Sequence, residues 1–183
     1  GSIAIDQTPL ASMSRKTIST AMALVSQDYA VNFPFPVKDV IMMGRHPYIP
    51  RFARPSATDL EKVDQAIEAC GISHLVTKKV NALSGGERQR CVFARALCQE
   101  TPILLLDEAF SNMDISHTLH LLKLIRQQAR EKKQLIISVF HDLNLASSFA
   151  DEIILLKQGN IFTMGNSQEV LTRSTISSVF NVD

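Results

Sequence analysis

The sequence has no long apolar run. Its longest uninterrupted aliphatic stretches are Ile103 to Leu106 and Ile153 to Leu156, far below the ~18 residues that span a bilayer, so the chain is not expected to cross a membrane by itself. It also lacks an imbalance of charge. Nineteen basic and 18 acidic side chains, interspersed, leave +1, which argues against a nucleic-acid or membrane-surface binder. No basic-then-apolar leader precedes Ile3, and a secretory signal is not expected. Cysteine is scarce: Cys70, Cys91 and Cys98 are odd in number and show no metal-ligand pairing. They read as reduced thiols, and the seven-residue spacing of Cys91 and Cys98 suits packing on one helix face. There is no internal repeat or low-complexity tract. The 45% apolar and 20% charged residues over 183 positions argue against disorder, and one compact domain, or one with an appendage, is expected at ~150 residues per domain.

Proline is clustered. Pro34, Pro36, Pro47, Pro50 and Pro55 make core sheet untenable there, so residues 31–54 read as a linker around one helix, 37–44. Leu60, Val63, Ala66, Ile67 and Ala69 are spaced for a helix over 58–70, stopped by Gly71. After opening strands, the first part is therefore mainly helical. The second half differs. The runs 103–106, 135–139 and 153–156 are continuous aliphatic segments, as in strands covered on both faces. Helical patterns at 116–132 and 142–150 separate them, and this alternation implies a parallel α/β sheet. Chemistry in such sheets sits at the carboxyl ends of the strands, where Asp107, Glu108 and His141 fall.

A buried strand ending in Asp107 delivers a carboxylate to the sheet edge, the place from which such acids hold Mg2+, often through water. Glu108 beside it can take a proton from, or orient, a water attacking a phosphoryl group. The sharper signal is Leu83-Ser84-Gly85-Gly86-Glu87-Arg88-Gln89-Arg90. Ser84 and Glu87 have the spacing of a capping box, so a helix begins there. Two glycines in its first turn leave bare amides, and the helix dipole favours an anion at that point.

LSGGERQR, then ARAL, then ILLLDE, then Ser111-Asn112-Met113-Asp114, then His141, in this order, resemble the ATP-binding subunit of an ABC transporter over nearly the whole chain. Met42-Met43-Gly44-Arg45-His46-Pro47 and His141-Asp142-Leu143-Asn144-Leu145-Ala146 are similar to the ATPases of importers for iron(III)-siderophore complexes, haem and vitamin B12. The resemblance implies a P-loop NTPase-like parallel sheet, formed by 1–30 and 101–183, with a helical signature subdomain at 31–100. It implies ATP and Mg2+ as cofactors, and as partners a second ATP-binding subunit, transmembrane permease subunits and, indirectly, a substrate-binding protein. The expected place is the cytoplasmic face of the cell membrane, as a peripheral protein.

By the same resemblance Ser84, Gly85, Gly86 and Glu87 form the signature loop that meets the γ-phosphate of ATP held by the opposite subunit. Asp107 is the Mg2+-associated acid and Glu108 the catalytic base. Asp114 crosses the dimer interface, His141 senses the γ-phosphate, and Gln27 reaches Mg2+ and the attacking water. Ala109-Phe110 and Asn112-Met113 replace the family's usual Pro-Thr and Ala-Leu, and Ser26 its frequent Pro; both carboxylates remain. One motif is missing from the 183 residues: no Gly-x-x-x-x-Gly-Lys-[Ser/Thr] occurs, the loop that cradles phosphates. The chain thus resembles an importer ATPase without its N-terminal phosphate-loop segment, an ATP hydrolase when complete and inactive as these residues alone. A non-catalytic module that lends its signature loop to a complete partner is the alternative.

Overall fold

Capping side chains and aliphatic runs set the course of the chain. The computed structural model describes residues 1–26, 33–111 and 113–181, which form two compact units, Gly1–Val139 and Phe140–Asp183. The first opens with a hairpin of β1 (Ala4–Ile5) and β2 (Thr8–Pro9). Helix α1 (Arg15–Ala21) follows, its first turn closed by the Ser14 hydroxyl accepting from the Thr17 amide, and runs into β3 (Met22–Val25).

Three helices form the next layer. In α2 (Val37–Met42) the buried residues are Val37, Val40 and Ile41. Helix α3 (Ala57–Ala69) begins at a Ser56–Asp59 capping box and buries Val63, Ala66 and Ile67, and Gly71 takes the left-handed φ of +65° that ends it. Helix α4 (Gly85–Cys98) is the hub, with buried side chains from Gln89 to Ala94 in unbroken succession and again from Ala96 to Cys98. A helix buried on every side lies at the centre of its layer. Each fully buried side chain here, such as Ile41 or Phe93, contributes roughly 1.5–3 kcal/mol relative to exposure.

The span 31–54 is more than a linker. Gly44 lies so close to α4 that a Cβ on it would stand 2.2 Å from the Arg95 carbonyl oxygen. Arg45 is buried beside it. Its Nε donates to Asp59 at 3.0 Å, its Nη1 to the Cys98 carbonyl at 2.7 Å, and its guanidinium lies over the Tyr48 ring at 4.2 Å. Gly-Arg in this segment is therefore the lock that joins α2, α3 and α4.

Strand β4 (Ile103–Asp107) follows, then α5 (Ile115–Lys132) and β5 (Leu135–Val139). The sheet is parallel in the order β3-β4-β5, with Val25 opposite Leu106 and Asp107 opposite Val139. The expected parallel α/β arrangement is present, but not the double covering. Ala23, Val25, Leu104 and Leu106 are buried, whereas Leu24, Leu135 and Ile137 are 51%, 55% and 54% exposed. Alternate side chains of a strand face opposite sides, and the described elements cover only one of them.

The second unit contains α6 (Leu143–Phe149), β6 (Ile153–Lys157), β7 (Asn160–Gly165), α7 (Ser167–Val170) and α8 (Arg173–Phe180). Here the run 153–156 departs from expectation, because β6 pairs antiparallel with β7. The cause is the turn between them. Gln158 and Gly159 both have positive φ, +51° and +78°, the geometry of a two-residue type I′ hairpin. Ala146, Ile153, Leu155 and Val170 form this unit's core.

Candidate functional site

Because β3, β4 and β5 are parallel, their carboxyl ends share one edge of the sheet, where Val25, Asp107 and Val139 end the strands. Asp107 is exposed there and Glu108, half-buried, follows it. Glu108 adopts φ of +47°, an uncommon, left-handed conformation for a residue with a Cβ. Its carbonyl accepts from the Ser111 amide at 3.2 Å and the Ser111 hydroxyl at 2.9 Å. Ala109 and Phe110 are buried, Phe110 against Phe93 of α4 with ring centroids 5.3 Å apart. The turn that carries Glu108 is thus anchored on α4.

The N-terminus of α4 has the capping box that the spacing predicts. The Glu87 amide donates to Ser84 Oγ at 3.3 Å, and Glu87 Oε2 accepts from the Ser84 amide at 2.8 Å. The Ser84 amide first, and the Ser84 hydroxyl second, hold the Glu87 carboxyl below the usual range, with help from the charges of Lys78 and Arg90. Glu87 therefore spends its carboxylate on shaping the loop. Gly85 is exposed, and a Cβ on it would meet nothing within 4 Å. Its φ is not among the positive ones. Among the described residues no contact requires glycine at position 85, so its bare backbone is a feature presented outward.

Asp114 is the N-cap of α5. Its Oδ1 accepts from the His117 amide at 3.1 Å, and its Oδ2 lies 2.5 Å from His117 Nδ1. The His117 backbone bond first, and the side-chain bond second, hold its carboxyl low. The imidazole clamp on Asp114 has an i,i+3 His as its sequence signal, a spacing too common to single it out. His141 belongs to the second unit, where it is exposed just before Asp142, the N-cap of α6, which accepts from the amides of Asn144 and Leu145. Gln27 lies outside the described residues. The first unit thus contains Ser84 to Glu87, Asp107, Glu108 and Asp114, and His141 belongs to the other unit.

Mg2+ is satisfied by one or two carboxylates together with phosphate oxygens and water. Among the described residues no group of three or more His, Cys, Asp or Glu could hold a metal ion, while Asp107 offers one exposed carboxylate at the strand end. That donor set fits an ion that arrives with phosphates and does not fit a cage made of protein ligands alone.

A parallel sheet with carboxylates at its edge and a capped helix N-terminus lie in the same unit. The chain belongs to the ABC transporter family, whose model matches residues 1–111. It is 36% identical over 181 residues to the cobalamin import ATP-binding protein BtuD of Halobacterium salinarum, covering 99% of this chain and 45% of that protein. It is 35% identical over 182 residues to the ferric enterobactin transport ATP-binding protein FepC of Escherichia coli, covering 100% of this chain and 67% of that one. The chain therefore spans about half to two thirds of the length of these relatives. Among solved structures, an ABC transporter assigned to the metal-chelate type, in an inward-facing conformation, superposes with a TM-score of 0.80 at 28% identity, over 88% of this chain and 64% of that one. A dimeric ATP-binding cassette bound to ADP and Pi shares the fold at 22% identity, with a TM-score of 0.79 over 91% and 73% of the two chains.

Proposed function

We propose that this chain is the greater part of the ATP-binding subunit of an ABC importer, coupling ATP hydrolysis to uptake of an iron(III)-siderophore, haem or cobalamin complex. The observation that carries this reading is the capped helix start at Ser84–Gly85–Gly86, with Ser84 and Gly85 exposed, in the same unit as a sheet edge ending in Asp107 and Glu108. The relatives named for cobalamin and ferric enterobactin transport support the substrate class. In this reading 1–30 and 101–183 serve the catalytic core and 31–100 the signature subdomain. The subunit sits peripherally at the cytoplasmic face of the membrane, with permease subunits docking on residues 31–53 and a binding protein acting through them.

Two copies close head to tail, and each presents Ser84 to Gly86 to the γ-phosphate of the ATP on its partner, where amides and the dipole of α4 stabilise negative charge. Glu108 accepts the proton of the attacking water. Asp107, with Gln27, would hold Mg2+, which when bound would supply positive charge against the phosphate oxygens. Asp114 lies at the dimer contact, Glu87 keeps the signature turn in shape, and His141 orients on the γ-phosphate.

The test is Glu108→Gln in the full-length product of the gene. ATP should still bind while turnover falls by about 10²–10⁴-fold, the usual contribution of a general base. Normal hydrolysis would remove Glu108 from the chemistry. Calorimetric titration of the 183 residues alone with Mg-ATP should show no tight binding, since they contain no phosphate loop; tight binding would refute that part of the reading.

A further inference from the structure

Gln89 is 5% exposed and sits on α4 little more than a turn beyond the signature glycines. Its Nε2 donates to the carbonyl of Ala109 at 2.8 Å and stands 3.5 Å from the carbonyl of Ser26. A primary amide carries two N–H donors, so one side chain can serve both carbonyls. Those two residues lie just past the ends of β4 and β3. Ser26 is the residue before Gln27, and Ala109 the residue after Glu108.

A left-handed φ at a residue with a Cβ costs about 1–3 kcal/mol and persists only where the surroundings over-determine it. At Glu108 the φ of +47° is held from two sides. Ser111 grips the Glu108 carbonyl through its amide and its hydroxyl. Gln89 grips the next carbonyl, that of Ala109, from the helix that packs beneath. The Phe110–Phe93 contact is apolar and specifies no backbone dihedral. Gln89 is thus a polar group of α4 that bonds directly to the Glu108 turn.

We propose that Gln89 is a positioning residue: it holds the backbone of Glu108 in its left-handed form and joins that turn, and the segment entering Gln27, to the helix whose first turn is Ser84 to Gly86. The proposal rests on the reading of Glu108 as the base. Through Gln89 a shift of the signature helix is passed to the turn that carries the base, without contact between Gln89 and substrate.

The experiment compares Gln89→Met and Gln89→Glu with the wild type and with Glu108→Gln, in the full-length protein assembled with its membrane subunits. Both Gln89 variants keep the side chain's length; the first loses both donors, and the second keeps the shape and offers at most one O–H donor, and only when protonated, in place of two N–H donors. The kcat for ATP should fall about 10–100-fold, as for a group misplaced by an ångström or less, with KM changed by less than about twofold. Amide exchange at residues 109–111 should rise about two- to tenfold, the worth of one hydrogen bond. In the wild type, the Gln89 side-chain amide should itself be protected, a measurement that needs no variant. Unchanged kcat and unchanged exchange in a folded variant, or an unprotected amide in the wild type, would overturn the proposal. If Glu108→Gln keeps its turnover, the reading of Glu108 fails separately; raised exchange at 109–111 would then still uphold the holding of the turn, and unchanged exchange would sink it.

Discussion

At the scale of single residues, most charged side chains buried in the first unit serve packing. Arg45 is surrounded by Asp59, the Cys98 carbonyl and the Tyr48 ring, so removing Asp59 leaves its buried charge with Glu100, at 3.8 Å, as its remaining carboxylate among the described residues. Asp59→Ala also breaks the α3 capping box. It should cost about 3 kcal/mol, the low end for breaking a buried pair, and lower Tm by roughly 6–12 °C in a thermal melt. The cysteines are governed by burial. It pushes the Cys91 and Cys98 thiols up to about 12 and raises Cys70 as well, and the thiolate is the reactive form. A maleimide at pH 8 should therefore leave the native protein unmodified and label all three thiols once it is unfolded in guanidinium; rapid native labelling would contradict the packing of α4.

At the scale of elements, α4 was legible as a start and opaque as a hub. Ser84 and Glu87 announce the cap because the box is local, and both reciprocal bonds are present. Ser84→Ala should cost about 1 kcal/mol, measured by denaturant unfolding. The box also titrates. Glu87 is held low by Ser84, so its contribution to stability is fully present above the unfolded value of ~4.3 and is lost as pH falls through the folded value. Asp59, held low chiefly by the Ser56 hydroxyl, behaves likewise below ~3.9. Stability should drop on the acid side of about pH 4, and Glu87→Gln, which keeps an acceptor without the titration, should make that drop shallower. An identical acid limb in the variant would mean that the box carries no charge-dependent stability.

What was not local was not legible. Ser84, Asp107 and Asp114 stand out by their neighbours in sequence, but the role of Gln89 depends on carbonyls 20 and 63 residues away. The aliphatic run at 153–156 has the same look as 103–106. The positive-φ pair at Gln158 and Gly159 decides that it folds into a hairpin. Continuous aliphatic residues likewise say that a strand can be covered on two sides, and not which elements do the covering.

At the scale of the whole molecule, apolar surface remains open in both units. Leu24, Leu135, Ile137 and Val139 are exposed in one, and Ile154, Leu156, Ile161 and Met164 in the other. Patches beyond a few hundred square ångströms are rare on monomeric proteins and mark contact or self-association. The 183-residue chain alone should bind anilinonaphthalene sulfonate and show a concentration-dependent sedimentation coefficient; a monodisperse chain that leaves the dye dark would show that these faces are covered. The pairing of Val25 with Leu106 also has a bearing on birth at the ribosome. Strand β3 emerges early and waits through the synthesis of α2, α3 and α4 for its neighbour, about 4–16 s at 5–20 residues per second. Helix α4 is complete nine residues before β4 ends, about 0.5–2 s at the same rate, time in which the helices, whose contacts are nearer in sequence, gather first, so the sheet that bears Glu108 closes onto a helical layer already in place.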